Sequence, residues 1–379
     1  MKKNLLLTPG PTQIPPELCA ALGKPIIHHR TPQFQDNIKE VIEGLKYVFQ
    51  TQNDIHLMCS SGTGAMESVV CNLLSAGDKV ITVDGGKFGE RWAEICQAYG
   101  VQTHVIKVEW GKAVTPQQIQ QALNEHKDAK AVFTTLSETS TGVATDIKTV
   151  AEVVKKTNAV LVVDAVSGLG IIDIQTDNWG VDVVVSASHK GFMLPPGLSF
   201  ATVSAKAWKL VETAKSPRFY YDYRKSKKAL EQIDTAWTPA IGIVIAMVDS
   251  LRMMREKGLQ NLFNQYARLA KGTREGAKGL GLKIFADASC VSNVLTPILL
   301  PDGINGEKLV KTMRDTHGVS VAGGQDQLKG KIIRIAHMGC IDEYDILTGL
   351  SCFEKVLKEM GHKFELGSGV AAAQKFFNL

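Results

Sequence analysis

Two oppositely charged residues follow apolar segments in the middle of the chain, where their chemistry could be combined. Lys190 lies in SASHKGFMLPPG, shortly after the apolar run VDVVV, and Asp164 lies in LVVDAVSG, one apolar segment earlier. An amine at the end of a buried strand is partly desolvated, which lowers its pKa and makes it nucleophilic. Each residue also has an ordinary interpretation, as a solvated lysine or as an aspartate that caps a turn. Neither residue alone distinguishes a chemical role from these ordinary ones.

Two stretches rich in hydroxyl groups and glycine occupy similar positions after apolar runs. SSGTGAMES, residues 60–68, lies between IHLMC and a helical pattern, so its backbone amides could bind an anion at the start of the helix, helped by Ser61 and Thr63. SETSTG, residues 137–142, follows AVFTT. A capped glycine turn and a solvated loop are the ordinary interpretations. The spacing matches neither GxxxxGK[ST] nor GxGxxG, so the known nucleotide motifs are not indicated.

The segments around these residues predict the elements that would position them. From about residue 54, seven Val- and Ile-rich runs alternate with amphipathic helical patterns. This alternation predicts an α/β fold in which a mostly parallel, seven-stranded sheet lies between helices. One helix has a clear start, because Thr115 can cap it, Pro116 suits its first position and Gln118 completes a capping box. Ligands bind at the carboxyl ends of such strands, so Asp164 and Lys190 are expected in one site.

An anion-binding helix start, a buried acid, an amine and several hydroxyl groups are together the set that pyridoxal 5'-phosphate (PLP) requires. Its phosphate suits a helix amino-terminus, its aldehyde a lysine, its ring nitrogen a carboxylate and its flat face an aromatic ring. Phe88, in DGGKFGERW at the end of another apolar run, is the candidate for stacking on that face. Core packing is the ordinary interpretation of Phe88.

The pattern changes in the second half of the chain and predicts a second domain. A polar, aromatic stretch leads to a long helix, with Thr238 as its cap and Pro239 at its first position, and a smaller α/β pattern follows. We predict an N-terminal segment over residues 1–20, a large cofactor-binding domain over 21–255 and a small C-terminal domain over 256–379.

Composition and charge exclude several classes of protein. The chain has 379 residues, of which 44% are hydrophobic and 21% charged, and its formal net charge is +5. Its basic residues are dispersed, so no nucleic-acid partner is expected. No apolar run approaches the ~18 residues that span a membrane, and the apolar stretch at the start is too short for a secretory signal. We therefore predict a cytoplasmic protein without a membrane partner.

Potential metal ligands in the sequence show no recognisable spacing. The seven cysteines are scattered and form no CxxC pair, which predicts neither a disulfide framework nor a zinc site. His28 and His29 are adjacent, so their side chains point in different directions, and no carboxylate is nearby in sequence. No metal site is predicted. His28, His29 and Arg30 could instead line a substrate entrance.

Eight stretches, in order along nearly the whole chain, resemble the class V aminotransferases of PLP fold type I, above all the alanine/serine–glyoxylate (serine–pyruvate) enzymes. They are LLLTPGPTQIPPE, HHRTP, SSGTGAMES, GGKFGERWAE, SETSTGV, VVDAVSGLG, SHKGFMLPPG and KIIRIAHMGC. The resemblance implies the fold, the cofactor PLP and a homodimer. It also implies a transamination between a small amino acid, serine or alanine, and a 2-oxo acid, glyoxylate or pyruvate.

The resemblance also implies roles for individual residues. Lys190 would bond covalently to the cofactor, Asp164 would pair with its ring nitrogen, and Arg334, in KIIRIAHMG, would bind the substrate carboxylate. A planar guanidinium binds a carboxylate through two parallel hydrogen bonds, which a lysine cannot do. Thr238 would reach a phosphate in the partner subunit, so the dimer would complete the site. The other implied cofactor contacts are Ser61, Gly62, Thr63, Gly64, Phe88, Thr139 and His189.

The chain departs from the animal members of this family at three of the cofactor-contact positions. Phe88 stands where they have a tryptophan, Thr235 where they have a tyrosine, and His189 where they have a glutamine. The first change weakens stacking only modestly. The other two leave the phosphate contacts at these positions open, and His189 could equally pack or bond to the backbone.

Other functions would require sequence features that differ from those of a serine or alanine aminotransferase. A cysteine desulfurase needs a cysteine on the loop before the arginine strand, and VSVAGGQDQLKGK has none; Cys340 follows Arg334 instead. A PLP-binding regulator usually carries an added DNA-binding domain, for which no room is expected because the aminotransferase pattern starts at residue 5. A non-catalytic subunit would not require Lys190 and Arg334 together. Aspartate as the donor would need a second cation, and the candidates are Arg30, Arg218 and Arg224.

Overall fold

The computed structural model describes residues 4–379, and the first three residues of the predicted N-terminal segment lie outside the described residues. The strands are β1 (Leu5–Leu7), β2 (Ile55–Met58), β3 (Lys79–Asp84), β4 (Gln102–Lys107), β5 (Ala131–Thr135), β6 (Ser137–Glu138), β7 (Val143–Ala144), β8 (Val160–Asp164), β9 (Val183–Ala187), β10 (Ser199–Val203), β11 (Leu295–Leu299), β12 (Val319–Gly323) and β13 (Ile332–Ala336). The helices are α1 (Pro16–Leu22), α2 (Pro32–Phe49), α3 (Gly62–Leu73), α4 (Lys87–Ala98), α5 (Pro116–Glu125), α6 (Ile147–Val154), α7 (Thr176–Trp179), α8 (Ala205–Thr213), α9 (Tyr223–Leu230), α10 (Ile241–Lys257), α11 (Leu259–Gly279), α12 (Gly306–His317), α13 (Glu343–Glu359) and α14 (Ser368–Phe377).

The central sheet has seven strands in the order β2-β10-β9-β8-β5-β3-β4. β10 runs antiparallel to both of its neighbours, and the other neighbouring pairs are parallel. Val160 and Val162 of β8 pack in one hydrophobic cluster, and Leu161 and Val163 pack in another, so both faces of the sheet are covered. This burial explains the continuous apolar runs. The predicted mostly parallel seven-stranded sheet between helices is confirmed.

A second sheet of four strands, in the order β1-β12-β13-β11, carries the C-terminal part of the chain. β1 joins it by pairing in parallel with β12, where Leu5 lies opposite Val319. The N-terminal segment is therefore built into this sheet. The boundary predicted at residue 255 falls in the last turn of α10, just before Gly258, whose φ of +78° separates α10 from α11. The division into three parts stays a prediction.

The predicted start of α5 agrees with the structure, whereas the predicted start of α10 does not. At α5 the capping box forms, since Thr115 Oγ1 accepts from Gln118 N and the Gln118 side chain accepts from Thr115 N. At α10 the predicted cap at Thr238 is wrong, because the helix begins at Ile241. Pro239 disfavours helical backbone in the residue before it, which holds Thr238 outside the helix. Within residues 4–379, no helix combines the length and the hydropathy needed to cross a membrane.

Candidate active site

One cavity lies where β8 and β9 end and α3 begins. Asp164 is the last residue of β8, and the parallel strand β9 ends shortly before Lys190, so the sheet holds the two side chains at the same edge. The residues that line the cavity are Ser61, Gly62, Thr63, Met66, Phe88, Arg91, Asp164, Val166, Ser167, His189 and Lys190. Seven of them were predicted from the sequence.

Lys190 is buried, with 8% of its surface exposed, and the N-terminal segment packs over it. Its Nζ donates to the carbonyl of Pro9, and Thr12 Oγ1 donates to the Lys190 carbonyl at 3.1 Å. Gly10 has a φ of +112°, and a methyl group there would collide with the Lys190 amine. Burial lowers the pKa of Lys190 to about 8, against the opposing attraction of Asp164. With this pKa, a minor fraction of the amine is uncharged near neutral pH, and that fraction is far larger than for an exposed lysine.

The pKa of Asp164 is shifted upwards, in the opposite direction to that of Lys190, and only 4% of the residue's surface is exposed. Burial raises the pKa of Asp164 to about 6, while the hydrogen bond that its Oδ1 accepts from Val166 N at 2.8 Å lowers it. The nearby Lys190 also acts to lower this pKa. A buried carboxylate in this state gains stability from a cationic partner, so the position suits a protonated ring nitrogen.

The start of α3 is open for an anion. The first backbone N–H groups of a helix have no acceptor within the helix. At α3 the side chain of the N-cap residue, Ser61, does not accept from them either. A Cβ at Gly62 would lie 2.7 Å from Val166 Cγ2, which explains the need for glycine. Gly64 lies in the same turn but outside the cavity lining, packed against Ser60. The helix dipole and the free donors favour a phosphate here.

His189 faces the same cavity with an unused ring nitrogen. Its Nδ1 is buried and has no hydrogen-bond partner among residues 4–379. Burial, followed by the charge of Lys190, lowers the pKa of His189 to about 4. The ring is therefore neutral at physiological pH, and a bound polar group would satisfy its free nitrogen.

Arg334 and Thr139 are joined to each other beside the cavity, although neither lines it. Arg334, on β13, donates from Nη1 to the Thr139 carbonyl at 2.6 Å and from Nε to the Gly323 carbonyl at 2.8 Å. Burial lowers the pKa of Arg334 to about 10, and its charge in turn lowers the pKa of Lys190. Arg334 takes part in no ion pair within the described part of the chain, so its charge is available to an anionic ligand.

The remaining predicted residues lie in a separate region. Thr238 is exposed, and its Oγ1 lies 3.5 Å from His29 Nε2. Arg30 pairs with Asp234 and donates to the Thr235 carbonyl. The chain does not bring these residues to its own cavity.

Arg91 lines the cavity and was not predicted. It follows Phe88 by three positions on α4, and its guanidinium lies 4.9 Å from the centre of the Phe88 ring. Its Nη1 donates to Thr63 Oγ1 at 3.2 Å. Helical i, i+3 spacing from the stacking candidate was the sequence signal that could have found it.

Glu138 was also missed, and it connects the parts of the site. Its buried carboxylate accepts hydrogen bonds from Phe88 N at 3.0 Å, Gly89 N at 2.9 Å and Ser140 N at 3.1 Å. These bonds fix the first turn of α4, and with it Phe88. The acid within the hydroxyl-rich SETSTG was the available signal, since a buried carboxylate needs several donors.

Replacing Glu138 with alanine is expected to lower the free energy of unfolding of the apoenzyme by about 2–4 kcal/mol, because three buried N–H groups lose their acceptor. Urea unfolding measures this change. Glu90→Ala is the matched control, since Glu90 lies on α4, the helix whose start Glu138 holds, and pairs with Lys87 at the surface. The control is expected to change the unfolding free energy by only ~0.5 kcal/mol. Equal effects of the two substitutions would contradict the role of Glu138.

The sequence model of the family Aminotransferase class-V matches residues 5–338. The chain belongs to the class V aminotransferases. It therefore has PLP fold type I and uses PLP. The cavity of this class V aminotransferase fits that cofactor, since it offers an open helix start to a phosphate, an amine to an aldehyde, a buried carboxylate to a ring nitrogen and an unpartnered histidine nitrogen.

Relatives of this class V aminotransferase carry different names. It is 42% identical to the small subunit of a soluble hydrogenase from Synechococcus sp. (strain PCC 6716), over 98% of each chain. It is 36% identical to an L-aspartate–glyoxylate aminotransferase from Paracoccus denitrificans, over 99% of this chain and 96% of the other. It is 35% identical to a serine–glyoxylate aminotransferase from Hyphomicrobium methylovorum, over 98% and 94%.

Solved structures agree with the fold. An alanine–glyoxylate aminotransferase from Nostoc sp. superposes on this class V aminotransferase with a TM-score of 0.91 and 28% identity, over 94% of this chain and 96% of the other. The family, the fold and the aminotransferase activity predicted from the sequence are confirmed.

Proposed function

We propose that this enzyme transfers the amino group of a small amino acid, serine or alanine, to a 2-oxo acid, glyoxylate or pyruvate. The observation that carries the proposal is Arg334, a buried arginine next to the cavity that holds Lys190. Arg334 has no ion-pair partner among residues 4–379 and is close enough to lower the pKa of Lys190. One such arginine binds one carboxylate, which is what serine and alanine present.

The three arginines considered for a second carboxylate have other partners. Arg218 donates to the backbone carbonyls of Cys71, Ala214 and Ser216. Arg224 pairs with Asp222, and Arg30 pairs with Asp234. This arrangement supports a donor with one carboxylate.

Aspartate is the alternative donor, and one observation favours it. Arg91 lines the cavity as a second cation, and its hydrogen bond to Thr63 could be exchanged for one to a carboxylate. A relative that is 36% identical is named an L-aspartate–glyoxylate aminotransferase. The cavity lining holds no cysteine, so a desulfurase finds no comparable support.

Residues in the cavity and Arg334 beside it would each have a part in the reaction. Bound PLP supplies an aldehyde that condenses with amines and a ring that accepts electrons. Lys190 would hold the cofactor and then move a proton between carbon atoms with its Nζ. Asp164 would keep a proton on the ring nitrogen, Arg334 would orient the substrate carboxylate, and Phe88 would stack on the ring.

We also propose that the enzyme is a homodimer and that it is located in the cytoplasm. Phe219 is 69% exposed, and its ring stacks on Trp237 at 5.1 Å, next to Thr238. Tyr220 extends the same aromatic surface. An exposed cluster of large apolar side chains favours a protein interface. In a homodimer, this surface would bring Thr238 to the phosphate of the partner subunit.

A panel of amino donors tests the substrate. Serine, alanine and aspartate are offered with glyoxylate, pyruvate and 2-oxoglutarate, and kcat/KM is measured for each pair. Serine or alanine with glyoxylate or pyruvate is expected to exceed aspartate by at least about tenfold, which corresponds to ~1.4 kcal/mol. A preference for aspartate that is lost in Arg91→Met would replace the proposal by its alternative. Absence of turnover with every pair would overturn both.

A further inference from the structure

Two histidines and a glutamate meet at the edge of the central sheet, away from the cofactor cavity. His104 lies on β4, the last strand of the sheet, while Glu125 is the final residue of α5 and His126 is its C-cap. One donor atom of each of the three side chains lies within 4.8 Å of the others. None of the three lines the cavity around Lys190. The cluster therefore belongs to no function assigned above.

The backbone holds each of these residues in place. β4 pairs in parallel with β3 along its length, and His104 lies opposite Ile81. At the end of α5, His126 N donates to the Ala122 carbonyl at 2.9 Å, and the His126 carbonyl accepts from Ala129 N at 2.9 Å. The side chains thus start from fixed positions, which reduces the entropy that is lost when a ligand binds them.

The two imidazoles are close together and otherwise unoccupied. Their ring centres are 4.1 Å apart at an interplanar angle of 39°, and both side chains are half-buried. In the part of the chain that the structure describes, neither ring forms a hydrogen bond to a protein atom. Glu125 is oriented by Gln121, whose Nε2 donates to it at 2.9 Å. Two adjacent imidazole rings beside an oriented carboxylate offer nitrogen and oxygen donor atoms to one cation.

The charges around the cluster also favour a cation. The end of α5 carries the partial negative charge of its terminal carbonyl groups, and Glu125 adds a full one. Asp128 follows in the next turn and pairs with Lys79 at 2.7 Å, so that lysine is already neutralised. Imidazole nitrogen together with a carboxylate suits zinc, copper or nickel, whereas calcium and magnesium prefer oxygen ligands.

We propose that His104, Glu125 and His126 bind one divalent transition-metal ion, typified by Zn²⁺, with the fourth position open to water. The donor atoms of such ligands lie about 2.0–2.2 Å from a bound zinc ion. Donor atoms that are up to 4.8 Å apart would therefore move closer together to bind it. Small rotations of the partly exposed side chains bring them together. The ion would join the edge strand β4 to the end of α5, and it would stabilise the fold independently of the transaminase site.

Calorimetric titration of the holoenzyme with ZnCl₂, after treatment with a chelator, tests this site. One ion per subunit is expected to bind, and the Tm is expected to rise, because the ion binds the folded chain. His104→Ala and His126→Ala are each expected to weaken binding by at least about tenfold and to remove the rise in Tm. MgCl₂ is expected to produce neither effect.

Two further variants make the outcome decisive. His362→Ala replaces a half-buried histidine outside the cluster and is expected to bind Zn²⁺ like the wild type. Glu125→Gln alters an exposed side chain, so it keeps the fold even if a histidine variant does not, and it is expected to weaken binding. Failure of the wild type to bind Zn²⁺ saturably, or unchanged affinity in Glu125→Gln and the folded histidine variants, would overturn the proposal.

Discussion

Replacement of Lys190 by alanine is expected to abolish transamination and to remove the visible absorbance of lysine-bound cofactor. Lys190 is the buried amine of the cavity, and no other lysine lines it. Proton transfer by a positioned side chain alone contributes about 10²–10⁴-fold to a rate, so kcat is expected to fall by at least that factor. Steady-state kinetics and the absorption spectrum measure the two effects.

The control and a rescue experiment distinguish this role from a structural one. Lys278→Ala removes an exposed lysine that pairs with Glu275, and it is expected to leave both the rate and the spectrum unchanged. A small primary amine added to Lys190→Ala is expected to restore part of the proton transfer, which it could not do for a misfolded protein. Wild-type turnover by Lys190→Ala would refute the assignment.

The pH dependence of cofactor attachment reports on the same amine. Burial lowers the pKa of Lys190 to about 8, and only the neutral amine can attack an aldehyde. Attachment of PLP to the apoenzyme is therefore expected to accelerate as the pH rises through about 8 and then to level off. An exposed lysine, with a pKa of about 10.4, would level off far later.

The central sheet could be predicted because its strands are buried on both faces. β5, β8 and β9 have no exposed residue, so their sequences are mostly apolar runs that alternate with helical patterns. The end of each run then marks the edge where ligands bind, which is how Asp164 and Lys190 were found. This inference needs only local patterns and one general rule of topology.

Contacts between distant segments could not be predicted in this way. Glu138 fixes the start of α4, and Arg91 reaches Thr63, only because separate strand–helix units pack side by side. His104 meets His126 because α5 packs along β4, which no spacing in the sequence reveals. The predicted start of α10 is wrong for a local reason: Pro239 suits a first helical position, but it also disfavours helical backbone in the residue before it.

Replacement of Asp164 by asparagine is expected to stabilise the apoenzyme while it slows transamination. Burial raises the pKa of Asp164 from 3.8 to about 6. The charged form is therefore disfavoured in the folded chain, and this cost is fully present above about pH 6 and disappears as the pH falls towards 3.8. The shift corresponds to at most about 3 kcal/mol, because one pKa unit is worth ~1.4 kcal/mol.

Asparagine has nearly the shape of aspartate and can still accept the hydrogen bond from Val166 N, but it carries no charge to hold a proton on the ring nitrogen. The rate is therefore expected to fall by about 10²–10⁴-fold. Urea unfolding of the apoenzyme at about pH 7.5 and about pH 5 measures the stability, and the advantage of Asp164→Asn is expected to shrink at the lower pH.

Asp182→Asn provides the matched control for this trade of stability against activity. Asp182 is also a buried aspartate, but it lies just before the start of β9, outside the cavity, and accepts hydrogen bonds from Leu161 N at 2.9 Å and Ser204 Oγ at 2.7 Å. Its replacement weakens these bonds, so it is expected to lower stability and to leave the rate per folded enzyme unchanged. If Asp164→Asn behaved like this control, Asp164 would be a structural cap, and the charge at the end of β8 would have no part in catalysis.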